Sequence, residues 1–276
     1  MTNNSIDMDE NVIIFKENEK DMKGELIKII GNELHRIAED KKLAVDYITI
    51  CACALELIDV VLEKEYDFPI DIEKIAESLD IDVICQPLNG KMGRQDGCAH
   101  RVVGRNLKRV NRVTNETRSC ILIDDESRYD EQRYALAHEL THYLIHIEER
   151  RFNSEYYVMP MLFKKMEEMV ADIFAIFLLI PLPIFIKEFA TYMGNQSKPV
   201  KTSEWLKYLS LVAEVPYENV AIGYQNIRYV CGIIYGVIKG ELIVKNDDEK
   251  ADVILQKQLY NMKSVLTEEV IERLFC

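Results

Sequence analysis

The feature that most constrains this chain is the stretch 134–146, which reads YALAHELTHYLIH. Its apolar residues recur at helical spacing, and two histidines, His138 and His142, stand four residues apart within it. On an α-helix, residues four apart are separated by about 6 Å along the axis and share one face. The segment therefore predicts a helix that presents both imidazoles to the same neighbour, and buried imidazole nitrogens require a partner.

Glu139 follows His138 directly and completes the pattern H-E-x-x-H. Two imidazoles at this spacing can both reach one Zn²⁺ at about 2.0–2.1 Å. Glu139 lies about 100° round the helix, close enough to take a proton from a zinc-bound water as general base. Metallopeptidases use this arrangement. The alternative is a pair of hydrogen-bonded core histidines with no metal. We expect His138 and His142 to bind zinc and Glu139 to act as the catalytic base.

A catalytic zinc normally has a third protein ligand. Glu168 is the best candidate, because Glu168 and Asp172 lie four residues apart in the next predicted helix and share one face. Ala171 and Ala175 on that helix are small enough to let the two helices approach closely. We expect Glu168 to complete the ligand set, and Asp172 to accept the free N–H of a ligating histidine.

Two other residues compete for the third ligand position. Glu167 is adjacent to Glu168, but its side chain is expected to point about 100° away. His146 lies one further turn along the first helix, where a straight helix cannot easily wrap three stacked imidazoles round one ion. We therefore expect His146 at the rim of the site. Further candidates for the rim, or for stabilising the transition state, are His100, Tyr143, Tyr156 and Tyr157.

Hydrophobic periodicity predicts a mainly helical α+β fold, with a small mixed or antiparallel sheet packed on the H-E-x-x-H helix as in a minimal zincin core. The predicted strands are 81–88, 97–103 and 120–124. The predicted helices are a broken pair over 22–64, then 70–80, 131–146, 161–179, a helix–turn–helix over 203–227, and 252–275. A loop is predicted over 147–160, and a hairpin joins 233–237 to 241–244 through Lys239 and Gly240.

These elements predict four parts. Residues 1–65 form an N-terminal helical extension and residues 66–195 a zinc metallopeptidase core. Residues 196–228 form a helical support that resembles a helix–turn–helix, and residues 229–276 a C-terminal hairpin plus helix.

The composition of the chain limits the classes of partner that it is expected to bind. The net charge of −13 argues against a surface that binds nucleic acid as a whole. No apolar run approaches the length of a membrane span, and the acidic start of the chain lacks the pattern of a secretory signal, so we expect a cytoplasmic protein. Residues 91–118 reverse the charge, with eight Lys or Arg against two acids. We interpret this segment as a solvated hairpin edge. The alternative is a basic flap beside the site.

The sequence resembles the ImmA/IrrE-type zinc metallopeptidases. The resemblance covers about residues 66–228 and rests on four segments: 68–88, 120–146, the signature EMVADIFAIFLLIP at 168–181, and a weaker helix–turn–helix pattern at 212–224. Thr141 stands where glycine is common in the family, and Asp172 where asparagine is common. Neither departure removes a catalytic group.

The resemblance implies a gluzincin-like site with one zinc ion per chain, held by His138, His142 and Glu168 beside Glu139. It also implies site-specific cleavage of a helix–turn–helix transcriptional repressor that controls mobile elements or stress genes. A second hypothesis is a non-proteolytic regulator that binds a transcription factor and keeps zinc as a structural ion. Direct DNA binding through 203–227 is disfavoured, because few of its residues are basic.

Overall fold

The computed structural model describes residues 8–39, 43–63, 67–89, 102–110, 116–149, 152–157, 166–196 and 200–275. Within these ranges the chain forms ten helices and four strands. The helices are α1 (Met8–Glu39), α2 (Leu43–Val61), α3 (Ile72–Ser78), α4 (Tyr129–Ile145), α5 (Met166–Leu179), α6 (Leu182–Gly194), α7 (Thr202–Ala213), α8 (Tyr217–Ile238), α9 (Glu249–Lys263) and α10 (Glu268–Phe275). The strands are β1 (Ile81–Gln86), β2 (Val102–Val110), β3 (Thr117–Asp124) and β4 (Phe152–Tyr157).

The four strands form one mixed sheet in the order β1-β3-β2-β4. β1 runs parallel to β3, whereas β2 runs antiparallel to both β3 and β4. The predicted mainly helical α+β class with a small mixed sheet is therefore confirmed.

Two predictions about the sheet are wrong. Residues 147–160 were expected to be a loop, but β4 forms within them and pairs with β2. β2 is consequently an interior strand, and the basic segment is not a sheet edge at residues 102–110. The reason is that β4 is a short strand without a strong alternating pattern, and its main-chain pairing with β2 stabilises it. Residues 97–101 of the predicted strand 97–103 lie outside the described ranges.

One face of β2 holds the sheet against α4. A Cβ atom on Gly104 would lie 3.1 Å from Cγ of Glu139 and 3.3 Å from Cβ of Ala135, so a glycine here lets the strand come close to the helix. Two residues further on, Asn106 donates from Nδ2 to the carbonyl oxygen of Glu139 at 3.1 Å. Alternate residues of a strand share one face, so the two contacts fix the height of α4 above the sheet.

α4 also packs on α5, whose small residues Ala171 and Ala175 are fully buried. α4 is also tied to the chain before β1. The buried guanidinium of Arg133 donates from Nη2 to the carbonyl oxygen of Ile70 at 2.8 Å. α4 is thus enclosed by the sheet, by α5 and by the segment around α3.

Helices from both ends of the chain contribute to the same hydrophobic core. α1 packs on α4 and α5, while α2 packs on α5 and α9. The buried carboxylate of Glu56 on α2 accepts hydrogen bonds from Nζ of Lys257 at 2.6 Å and from Nε2 of Gln258 at 2.7 Å, both on α9. The division of the chain into four parts stays a prediction.

The predicted hairpin over 233–244 is wrong, because α8 continues to Ile238. Gly240 has a φ of +75°, and it follows the helix end rather than forming a hairpin turn. Glycine often has a positive φ just past the end of a helix, as it does in a hairpin turn. The dipeptide Lys239-Gly240 is therefore compatible with either structure. The β-branched residues before it pack as a helical face, with Val230 and Ile234 buried.

Two further helix predictions require correction. The expected single helix over 252–275 is divided into α9 and α10, because Oγ1 of Thr267 accepts a hydrogen bond from the backbone N–H of Val270 at 3.3 Å and begins a new helix. α6 was not predicted, since Pro181 and Pro183 were interpreted as stops. Pro183 instead lies in the first turn of α6, where proline is tolerated.

Among the described helices, none is long and apolar enough to cross a membrane alone. α5 and α6 meet that test of length and composition only as a pair, and they are bent by 57°.

Candidate metal centre

α4 carries the motif on its inner side. His138 and Glu139 are fully buried, and His142 is 1% exposed. The C-terminal end of the helix is closed by Lys108 of β2, whose Nζ donates to the carbonyl oxygens of His146 at 3.1 Å and Ile147 at 2.7 Å. A cation at this end of a helix is favoured by the helix dipole. At least one residue of the basic segment thus supports the motif helix rather than forming a solvated edge.

The side chains of His138, His142 and Glu168 converge between α4 and α5. Nε2 of His138 lies 3.1 Å from Nε2 of His142, and each nitrogen lies 3.3 Å from an oxygen of the Glu168 carboxylate. Ligands at about 2.0–2.1 Å from a tetrahedral Zn²⁺ are separated from one another by about 3.3–3.4 Å. The observed separations match this value to within a few tenths of an ångström. The three residues can therefore hold a metal ion with little rearrangement.

The Nδ1 atom of His138 faces Asp172 of α5, at 3.1 Å from Oδ1. The hydroxyl of buried Tyr134 donates to the same Oδ1 at 3.0 Å. A carboxylate accepts and does not donate, so Nδ1 of His138 carries the hydrogen and Nε2 is directed at the donor cluster. This is the contact that the sequence predicted for Asp172, now with a tyrosine behind it.

The Nδ1 atom of His142 has a different partner, Glu167, at 2.8 Å from Oε1. The sequence predicted that the Glu167 side chain would point away from the site, and that prediction is wrong. Residue 167 lies in the first turn of α5, and its long side chain reaches back across the gap to α4. Both histidines therefore pair through Nδ1 with a carboxylate and direct Nε2 at Glu168, as ligating histidines do in metal sites.

Glu139 lies beside the donor cluster and its two oxygens differ. Oε2 accepts a hydrogen bond from the hydroxyl of Ser154 on β4. Oε1 is buried and has no hydrogen-bond partner among the described residues. Burial raises the pKa of Glu139, while the nearby His142 and His138 and the Ser154 hydroxyl act in the opposite direction. An unpartnered buried oxygen of this kind is costly unless another group occupies the site.

The pKa values of the donor groups are shifted by their mutual contacts. Burial acts to lower the pKa of His142, but hydrogen bonds to Glu167 and Glu168 outweigh it and raise that pKa to about 10. The pKa of His138 is also raised, since hydrogen bonds to Asp172 and Glu168 outweigh burial. Burial acts to raise the pKa of Glu168, yet both histidines together hold it well below its usual range. In the metal-free protein, these contacts favour the protonated form of His142.

The structure brings His146 to the edge of this cluster. Its Nε2 lies 3.0 Å from Oε1 of Glu167, and its Nδ1 lies 2.6 Å from Oε1 of Glu149. Tyr143 is on another side of α4, where the ammonium of Lys108 lies 5.2 Å from the centre of its ring. No described contact joins Tyr143 to the donor residues. His100 and the side chains of Tyr156 and Tyr157 lie outside the described part of the chain.

The sequence model of the M78 peptidase family, described as an IrrE N-terminal-like domain, matches residues 76–222, which is more than half of the chain. The chain belongs to this family. The resemblance predicted from the motifs is thereby confirmed, and membership implies a peptidase. The matched region starts in α3, ends in α8 and contains all four described strands as well as α4 and α5. A comparison with curated proteins finds no match.

Three residues contact the candidate site in roles that the sequence did not predict: Glu167, Tyr134 and Ser154. Glu167 is a rival ligand by sequence alone, yet both Glu167 and Glu168 reach His142, each at a different ring nitrogen. Tyr134 lies four residues before His138, so helical spacing alone places it on the same face. Ser154 belongs to the strand that was predicted as a loop, and no pattern in the sequence connects it with Glu139.

Proposed function

We propose that this protein is a zinc-dependent endopeptidase in which His138, His142 and Glu168 hold the metal and Glu139 is the general base. One observation carries the proposal. Nε2 of His138 and Nε2 of His142 lie 3.1 Å apart, and each lies 3.3 Å from a different oxygen of Glu168, which is close to the edge of a zinc tetrahedron. A buried carboxylate, with one oxygen that has no partner among the described residues, lies beside them. Family membership independently supports a peptidase.

His138, His142 and Glu168 would hold Zn²⁺, which would supply a coordinated water of lowered pKa and a Lewis acid for the carbonyl of the scissile peptide bond. Glu139 takes the proton of the attacking water and delivers it to the leaving amine. In the metal-free protein burial raises the pKa of Glu139, which favours uptake of a proton by this carboxylate. Ser154 fixes one oxygen of this carboxylate and leaves Oε1 for the proton.

The substrate peptide binds in extended form along β4. Within the described part of the sheet, β4 pairs only with β2, so the opposite edge of β4 has main-chain groups for another strand. Ser154 lies on β4 and contacts Glu139, so a peptide paired there runs past the base. The described part of the predicted strand 97–103 lies in the interior strand β2, so it has no open edge for a peptide.

As the substrate we propose a helix–turn–helix transcriptional repressor. The support is the resemblance of segments 120–146 and 168–181 to the ImmA/IrrE-type metallopeptidases, which implies such cleavage. A substrate of this class places the enzyme in the cytoplasm, where reducing conditions suit the free thiols of buried Cys51, Cys53 and Cys231.

The alternative is a regulator that binds a transcription factor and uses zinc only to stabilise its fold. A structural zinc site is normally closed by four protein ligands and has no need of a base. Among the described residues, three donor residues converge, and a fully buried carboxylate lies beside them. These features favour a catalytic site.

Glu139→Gln separates the two functions. We expect the purified variant to retain about one zinc per chain, because Glu139 is not a ligand, and to lose cleavage of the repressor by about 10²–10⁴-fold. Glu126→Gln is the matched control, since it makes the same change at an exposed carboxylate in the turn before α4. Zinc content is measured by elemental analysis and cleavage by mass spectrometry of the repressor.

Two outcomes contradict the proposal. Wild-type protein without zinc excludes the metal centre. A Glu139→Gln variant that relieves repression as fully as wild type shows that proteolysis is not the mechanism.

A further inference from the structure

We propose that Glu167 and His146 form a positioning pair for the metal centre: Glu167 fixes His142 through Nδ1, and His146 fixes Glu167. The inference rests on the proposed zinc site, and it assigns roles to two residues that are not ligands. It also gives His146 a function, although His146 lies outside the convergent donor set of His138, His142 and Glu168.

A single carboxylate oxygen joins the two histidines. Oε1 of Glu167 lies 2.8 Å from Nδ1 of His142 and 3.0 Å from Nε2 of His146. Because the carboxylate only accepts, each of these ring nitrogens donates to it. Nδ1 of His146 is in turn 2.6 Å from Glu149. The chain of contacts therefore runs from Glu149 through His146 and Glu167 to His142.

The geometry explains why His142 needs this support. The Glu167 side chain is 34% exposed, so by itself it could leave His142 for solvent and would lose rotamer freedom to stay. The ring of His146, whose side chain is only 13% exposed, holds the accepting oxygen from a second direction. With Nδ1 of His142 committed as donor, Nε2 keeps its lone pair for the metal.

The same design occurs on the other histidine. Asp172 accepts from His138, and Tyr134 donates to the same oxygen of Asp172. Each ligating histidine thus has a carboxylate partner, and each carboxylate has a second donor that holds it. In both cases the histidine belongs to α4 and its carboxylate partner belongs to α5.

A second metal site is the competing explanation, because donor atoms of His142, His146 and Glu167 also lie within 4.8 Å of one another. A metal there would have to use Nδ1 of His142. A neutral imidazole has one lone-pair nitrogen, and Nε2 already faces His138 and Glu168. Occupation of one site therefore opposes occupation of the other, and a hydrogen-bonded chain accommodates all the contacts without that conflict.

Zinc affinity tests the proposal without any substrate. The dissociation constant is measured for wild type, Glu167→Ala, His146→Ala and the double variant by competition with a chromophoric chelator. We expect Glu167→Ala to weaken binding by about 10–100-fold. His146→Ala weakens it by a smaller factor. The double variant binds no more weakly than Glu167→Ala, because His146 acts only through Glu167.

Two further variants guard against trivial explanations. Glu148→Gln removes a charge from an exposed neighbour that has no described contact with either histidine, and it should bind zinc like wild type. Glu167→Gln retains an oxygen that can accept from His142, so it should recover part of the affinity lost in Glu167→Ala. It also keeps the test available if Glu167→Ala fails to fold, which far-UV circular dichroism of the metal-free protein reveals.

The proposal is overturned if Glu167→Ala binds zinc as tightly as wild type. It is also overturned if His146→Ala weakens zinc binding by the same factor in the Glu167→Ala background as it does in the wild type. Two zinc ions per wild-type chain, one of them lost in His146→Ala, would establish the second metal site instead. Wild type that binds no zinc would refute the proposed function, which is a different result from wild-type binding with no effect of Glu167→Ala.

Discussion

At the scale of single residues, the donor cluster of α4 and α5 is an arrangement of ion pairs that a metal replaces. Without metal, hydrogen bonds to Glu167 and Glu168 favour the protonated form of His142. Glu167 and Asp172 accept from Nδ1 in either state. A metal ion at these residues would need the Nε2 lone pairs, and a protonated imidazole does not have one. Protons and metal therefore compete for the same nitrogens.

The competition predicts a zinc affinity that rises with pH. The pKa of His142 is raised to about 10 in the folded, metal-free protein, so this residue is protonated at neutral pH and must lose its proton to bind zinc. Each proton displaced makes the apparent affinity rise about tenfold per pH unit below that pKa. Competition titrations between about pH 6 and about pH 8 should show this rise. An affinity that is flat over the window would mean that His142 is neutral before zinc binds.

At the scale of elements, close approach of backbones sets the position of α4. Gly104 lets β2 reach Glu139 on one side, and Gly31 lets α1 reach the end of α4 on another. A Cβ atom on Gly31 would lie 2.6 Å from the carbonyl oxygen of Leu144 and 2.8 Å from Cγ2 of Ile147. The helix that carries the motif is therefore fixed partly by a helix outside the matched family region.

A pair of glycine variants in α1 measures this contact. Gly31→Ala should lower the free energy of unfolding by about 1–3 kcal/mol, because the added methyl group meets a backbone oxygen that cannot move freely. Gly24→Ala is the control, since a Cβ there has nothing within 4 Å. It should instead stabilise the protein by about 0.5–1 kcal/mol through helix propensity. Chemical denaturation compares them, and equal stabilisation by both would show that α1 does not pack this closely on α4.

The elements that could be predicted from sequence are those whose signal is local. α4 and α5 have strong helical periodicity, and the H-E-x-x-H spacing fixes which α4 side chains share a face. β4 and the last turns of α8 could not be predicted in this way. β4 depends on pairing with β2, which is distant in sequence. A glycine such as Gly240 is common both in a hairpin turn and after the end of a helix, so it does not distinguish the two.

The candidate site divides in the same manner. His138, Glu139 and His142 follow from one helix, and Glu168 with Asp172 follow from another, so spacing alone suggested which residues meet. Glu167 and Ser154 depend on the exact distance between elements. A rotation of about 100° per residue suggested that Glu167 would point away from α4. The glutamate side chain at the start of α5 is long enough to reach back to His142. The residue pattern alone does not predict this contact.

At the scale of the whole molecule, residues outside the matched region complete the core. α9 buries Ile254, Leu255, Leu259 and Met262, and it packs on α2 and α8. α2 in turn packs on α5, which carries Glu168. α5 is therefore supported by α2, and α2 by α9, so helices from both ends of the chain support the candidate site. We expect these helices to unfold together with the matched region.

A mutation in α9 tests that cooperativity. Leu255→Ala removes a fully buried side chain and should lower the free energy of unfolding by about 2–5 kcal/mol. Val253→Ala, at a residue of α9 that is 68% exposed, should change it by no more than about 0.5 kcal/mol. The single tryptophan, Trp205, is buried in α7 inside the matched region, so its fluorescence reports unfolding far from α9 in sequence. If the molecule unfolds as one unit, Leu255→Ala shifts the Trp205 transition and the far-UV circular dichroism transition equally. A Trp205 midpoint that stays in place while circular dichroism shows an earlier step would make α9 an independent unit.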